Sequence, residues 1–148
     1  MDHFSTDDID EVYAWGRQIH RLNLCKDRIL ELYLAPYEIT AAQFKVMLMM
    51  NRDGLTTSAD LCRCISLDSG AMSRMLDRLQ NKKMIMRVRS TTDRRQFHLA
   101  LTEQGHDFCR QIPLIALKSF NELLAPLTPS ELNELDRLLK KLVIPAGI

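Results

Sequence analysis

Apolar residues recur along this chain at helical spacing, except in one short stretch where the spacing falls to two. From residue 7 to 35, Ile9, Val12, Tyr13, Ile19, Ile29, Leu30 and Tyr33 mark one side of a long, moderately amphipathic helix that Pro36 ends. Thr40 and Gln43 then form a capping box, and the helix they open runs through Phe44, Met47 and Leu48 until Gly54 stops it. Thr57 and Asp60 repeat the start signal for a short helix over 58–64 that ends near Ser66. Asp68 is placed to cap the next helix, in which Met72, Met75, Leu76 and Leu79 share one face. Its opposite face carries Gly70, Arg74, Asp77 and Asn81, flanked by Ser73 and Arg78.

The period of two follows. Met84, Met86 and Val88 alternate with Ile85, Arg87 and Arg89, and Phe97, Leu99 and Leu101 alternate with Gln96, His98 and Ala100. The polar "STTDRR" between them makes the whole a β-hairpin, with Arg87 and Arg89 expected on the strand face away from the core. Thr102 caps a helix to about Ala125, striped by Phe108, Ile112, Ile115 and Phe120, and Pro113 is expected to kink it. Thr128, Pro129 and Glu131 start the last helix, whose stripe is Leu132, Leu135, Leu138, Leu139 and Leu142. The fold class is mainly α with a small β-hairpin wing: a winged helix-turn-helix lobe in an all-helical frame.

A length of 148 residues suits one domain with a single core and an additional dimer surface. The net charge of +1 implies no partner by itself. Its distribution does: residues 1–59 carry 6 basic and 9 acidic side chains, 60–98 carry 9 and 4, and 99–148 carry 5 and 6. Positive charge concentrates in the middle third, which favours a polyanion. No apolar run is long enough to span a membrane, and the acidic start "MDHFSTDDIDE" has no signal-peptide core, so the expected location is cytoplasmic. Cys25, Cys62, Cys64 and Cys109 are then reduced thiols, read as small buried hydrophobes. Cys62 and Cys64, two apart on a helix, point to nearly opposite sides and make a poor metal or redox pair. No Gly-rich phosphate loop, catalytic carboxylate pair or Ser/His/Asp grouping is evident, and His3, His20, His98 and His106 are scattered. No catalytic residue, metal ligand or cofactor is assigned, and the chain is read as a non-enzyme.

The helix opened by Asp68 has what a major-groove reader needs: an apolar back, small residues that let the backbone approach, and Ser and Arg to reach bases and phosphates. Ser69, Gly70, Ser73, Arg74 and Arg78 meet that demand. The hairpin adds Arg87 and Arg89 on a strand, and Asp93, Arg94 and Arg95 in the loop. Guanidinium groups at a hairpin tip suit a minor groove, and Asp93 would orient an arginine by a fork-like ion pair. Either feature alone describes an ordinary solvated surface; a reading helix and an arginine wing close together in one chain are far more specific.

The segments "ITAAQFKV", "GAMSRMLDRLQNK" and "TTDRRQFHLALTEQG" resemble the signature segments of the MarR family of bacterial winged-helix regulators, particularly its multiple-antibiotic-resistance repressor branch. The resemblance runs from "WGRQIH" to "ELDRLLKKL". It implies a homodimer joined through residues 1–36 and 103–148, with 37–102 as the DNA-binding lobe. It implies a repressor of efflux, stress-resistance or aromatic-compound genes, bound to a double-stranded DNA operator and released by a small aromatic or phenolic effector. It places the recognition helix at Ser69–Lys82 and the wing at Arg87–Gln96, and it matches the aromatic-anion sites to Ser73, Arg78 and Arg87. The chain departs from the family at Lys83, where members commonly carry Gly, and has Asn81 where a recognition-helix thiol switch would need Cys. Two further readings stand beside the repressor: a winged-helix protein-interaction module, and a thiol-based redox-sensing regulator.

Overall fold

The computed structural model describes residues 2–91 and 97–143. The elements are α1 (Ile9–Leu34), α2 (Ala41–Asp53), α3 (Ser58–Ile65), α4 (Ser69–Asn81), β1 (Ile85–Arg89), β2 (Phe97–Leu101), α5 (Glu103–Leu124) and α6 (Pro129–Val143), the winged helix-turn-helix order. The capping residues do what their chemistry dictates. Thr40 Oγ1 accepts from the Gln43 N–H at 3.2 Å while Gln43 Oε1 accepts from the Thr40 N–H at 3.1 Å. Thr57 and Asp68 cap α3 and α4 by accepting the N–H of Asp60 and Ala71, without the reciprocal bond, and Gly54 ends α2 at φ 65°, where a side chain would be strained. α5 runs as one helix through Pro113.

The chain forms two compact units: one spans Leu30–Ala116, and the other joins the residues up to Ile29 with those from Leu117 onward. Among the described residues, every buried apolar side chain of the core lies between Leu30 and Ile115. Leu34, Met47, Leu61, Met72 and Leu79 are fully buried there. Burying a side chain of this size is worth about 1.5–3 kcal/mol, so these positions fix how α2, α3 and α4 pack.

The hairpin is antiparallel, with Ile85 opposite Leu101, Arg87 opposite Leu99 and Arg89 opposite Phe97. Opposed residues share a face, and Ile85 and Leu99 are buried. Arg87 and Arg89 therefore lie on the strand face that turns toward the core, the reverse of the expectation. Met86 and Val88, apolar in the pattern, point outward and are 46 % and 45 % exposed. A two-stranded wing is covered on one side only. That side is claimed by the Ile85, Leu99 and Leu101 series, and the ladder then carries Arg87 with it. The Leu99 N–H also donates to the Thr56 carbonyl at 2.7 Å, so one rung ties β2 to the loop before α3.

Lys83 stands at φ 59°, in the left-handed region, where most helix ends place Gly. The departure from the family pattern is thus absorbed by strain at Lys83 itself, not by a shifted helix end. Further on, a Cβ on Gly105 would lie 2.0 Å from the Met84 carbonyl oxygen, so no larger residue fits.

Two substitutions test this junction by chemical unfolding. Lys83→Gly removes a left-handed penalty of about 1–2 kcal/mol, part of which the freer unfolded chain takes back; a net gain of about 0.5–1 kcal/mol is expected. Gly105→Ala forces backbone apart and should cost at least about 1–3 kcal/mol.

Candidate nucleic-acid interface

α4 is built to expose one face. Asp68 caps it by accepting from the Ala71 N–H at 2.8 Å, and that bond holds the Asp68 carboxyl below the usual aspartate range against a smaller opposing effect of desolvation. With Met72, Leu76 and Leu79 buried, the opposite side of the helix presents Ser69, Gly70, Ser73, Arg74 and Arg78 to solvent. A Cβ at Gly70 would lie 3.2 Å from Asp68 Oδ1 and 3.6 Å from an Arg74 guanidinium nitrogen. All five recognition-helix candidates are exposed, spread across the side of α4 away from its buried residues.

Arg87 is held from β1 against α4. Its guanidinium donates to Asp77 Oδ1 at 2.7 Å and to Gln80 Oε1 at 2.6 Å. Arg89 sits over the Phe97 ring at 5.9 Å from its centroid, a weak cation–π contact at the surface. Asp93, Arg94 and Arg95, the loop candidates, lie outside the described residues.

The three residues matched to aromatic-anion sites divide between two flanks of α4. Ser73 and Arg78 are five residues apart, about 140° around the helix. Arg87 reaches the flank of Asp77 and Gln80, whereas Arg78 and Arg74 line a cavity of about 280 Å³ with Thr40, Gln43 and Met75. The three residues therefore do not meet in one pocket.

Asp77, Gln80 and Lys82 are partners that pattern reading passed over. Lys82 Nζ donates to the Glu38 carbonyl and to Gln43 Oε1. Of the cysteines, Cys109 is buried as expected, with burial pushing its thiol pKa up, and Cys62 is half-buried, whereas Cys25 and Cys64 are exposed, against the expectation of buried thiols. Among the described residues, no cluster of three or more His, Cys, Asp or Glu side chains could hold a metal ion, and no helix is long and apolar enough to cross a membrane.

Comparison with known proteins places this geometry. A model of the MarR family matches residues 39–97. The multiple antibiotic resistance protein MarR of Escherichia coli (strain K12) is 40% identical over 141 residues, covering 94% of this chain and 98% of that one. The crystal structure of the reduced form of MarR from E. coli superposes with a TM-score of 0.79 at 40% identity, covering 86% of this chain and 94% of that chain. A mutant MarR from E. coli complexed with operator DNA superposes with a TM-score of 0.78 at 38% identity, covering 94% and 99%.

The Arg87–Asp77 pair is partly exposed, with side chains 33% and 57% accessible, so its worth is set by solvent screening. A double-mutant cycle with Arg87→Met and Asp77→Asn, read by urea unfolding, should give a coupling of about 0.2–1 kcal/mol. A coupling of several kcal/mol would mean that Arg87 is locked as a structural strut and is not available to an anion.

Proposed function

The chain belongs to the MarR family, and from that premise we propose that it is a homodimeric, sequence-specific DNA-binding transcriptional repressor acting in the cytoplasm. It binds a pseudo-palindromic operator and is released by a small anionic aromatic or phenolic ligand. The genes it controls serve efflux, stress resistance or aromatic-compound breakdown. The observation that carries the reading is the outward face of α4, where Ser69, Gly70, Ser73, Arg74 and Arg78 stand exposed over a fully apolar back. A helix of that make-up enters a major groove, and the arginines of the wing, with Asp93, Arg94 and Arg95 at its loop, reach the flanking backbone and minor groove.

The proposed dimerisation region is 1–36 with 103–148, and the DNA-binding lobe is 37–102. The apolar surface of the unit holding both chain ends supports this. There Ile19 and Leu142 are 65% and 71% exposed, alongside exposed Leu22, Phe120, Leu132 and Leu139. Apolar surface on that scale marks an interface. Two recognition helices in one dimer read half-sites about 34–36 Å apart, so a ligand that binds a misaligned dimer better disfavours DNA. Ser73 and Arg87 on one flank of α4, and Arg78 on the other, are the proposed ligand-binding residues.

Fluorescence anisotropy with a labelled duplex selected from a random pool by the protein itself, against a scrambled duplex, tests the reading. Binding should prefer the selected duplex, weaken steeply with salt and be reversed by salicylate or related aromatic acids. Arg94→Ala and Arg95→Ala should each weaken binding without unfolding the chain. Each should also flatten the slope of log affinity against log salt by about 0.9 for every phosphate it no longer neutralises. Absence of any sequence preference would replace the repressor with the protein-interaction module. Preference that no anion reverses would turn the regulatory input toward the exposed thiols of Cys25 and Cys64.

A further inference from the structure

Lys82 belongs to the basic middle third, and counting charges makes it one more phosphate ligand. Its geometry says otherwise. It is the residue that ends α4, and its backbone N–H still closes the helix onto the Arg78 carbonyl at 3.0 Å. It stands four residues after Arg78, on the same flank of α4 and about half a turn from Ser73, so what keeps its ammonium from the exposed face is its anchoring and not its place around the helix. The side chain is half-buried, and its ammonium donates to the carbonyl of Glu38, 44 residues earlier, and to Gln43 Oε1 at 3.2 Å.

Both acceptors are fixed points. Glu38 follows the 3-10 turn Ala35–Tyr37 and holds a left-handed φ of 55°. Gln43 is buried, and the same Oε1 accepts the Thr40 N–H that caps α2. One amide oxygen therefore serves the start of α2 and the end of α4 together. A charge-assisted donor on a buried acceptor and on an otherwise exposed carbonyl is a stronger tie than neutral bonds of the same length. An ammonium at a helix C-terminus also meets the negative end of the helix dipole.

We infer that Lys82 is a positioning residue for operator binding: by bridging the end of α4 to Glu38 and Gln43, it sets the angle at which the recognition helix is presented, and it does not touch DNA. The inference rests on the DNA-binding reading proposed above. It adds a determinant of sequence preference that lies behind the interface. A tilt of α4 moves the base-reading side chains out of register while leaving long, flexible basic side chains in reach of phosphates. Loss of the bridge should thus cost specific binding and spare non-specific binding.

The test uses the full chain, with the selected and scrambled duplexes over a salt series, beside thermal unfolding of each variant. The parent is measured first; if it has no preference for the selected duplex, the regulator reading fails and this inference falls with it. Given that preference, Lys82→Met, which keeps the stem and loses the ammonium, should weaken binding to the selected duplex about tenfold, the size of one charge-assisted hydrogen bond. Binding to the scrambled duplex should change by less than about twofold, and the salt slope on both should stay as in the parent. Lys82→Arg should restore the preference. Lys82→Met should cost less in a Gln43→Met background than in the parent, the Glu38 tie being what is left to lose. Should Lys82→Met not fold, Lys82→Gln carries the same comparison. Equal loss on both duplexes, with the slope lowered by about 0.9, would make Lys82 a phosphate ligand and overturn the inference. So would a lower unfolding temperature with the parent's preference intact, which would make the bridge a matter of stability only.

Discussion

The carbonyl of Met84 is the point on which the DNA-binding lobe turns. It accepts the Thr102 N–H at 3.1 Å and lies 3.2 Å from the Thr102 hydroxyl, which itself donates to the Lys83 carbonyl and accepts the Gly105 N–H at 3.0 Å. Four elements meet there: α4 ends, β1 begins, β2 ends and α5 begins. A helix end must satisfy its last carbonyls, and a chain leaving a helix must turn. Lys83 turns it by taking a left-handed conformation, and Gly105 makes room by having no side chain. With the start of β1 fixed against the end of β2, the register of the hairpin follows. Ile85 falls opposite Leu101, and Arg87 opposite Leu99 and next to Asp77 of α4.

The direction of Arg87 is therefore a consequence of backbone geometry at the junction and not of its own charge. That has a physical use. A free arginine loses considerable rotamer freedom when it meets a phosphate or a carboxylate. An arginine already held by Asp77 and Gln80 has lost much of that freedom on folding, in exchange for a partly exposed pair that stabilises little. In the proposed ligand-binding role, an anion would then compete with Asp77 on nearly level terms. The brace orders the guanidinium without sequestering it, which is what a site that must bind and release requires.

Most of the fold was legible because its signals are local. A cap needs its residue, its spacing and nothing else, so Thr40–Gln43, Thr57–Asp60, Asp68 and Thr128–Glu131 mark helix starts that the structure repeats at each place. The outward face of α4 was equally plain, since one face of Met72, Leu76 and Leu79 implies its opposite. What failed to be legible depends on partners distant in the chain. Both series in β1 contain apolar residues, and only pairing with Leu99 and Leu101 decides which series turns inward. Cys25 and Cys64 have the composition of core residues but fall outside the stripes that pack. Lys82 looks like any basic residue near DNA until Glu38 and Gln43, some forty positions earlier, appear beside its ammonium.

The two compact units differ in what they lack. The unit from Leu30 to Ala116 holds the buried apolar core of the described residues. The unit holding both chain ends has its large apolar side chains open to solvent along α1, α5 and α6. In the proposed homodimer a second copy would cover that surface, identical surface on identical surface. α1 and α5 also continue from one unit into the other, carrying Leu30 and Leu34, and Phe108 and Ile112, into the closed core. The helices that would hold a dimer together are thus the same helices on which the DNA-binding lobe is built. The proposed ligand would need to dismantle nothing to act through them. Favouring one arrangement of the lobes over another by about 1.4 kcal/mol would change affinity tenfold, the size of one new charge-assisted hydrogen bond and more than a partly exposed ion pair such as Arg87–Asp77 supplies.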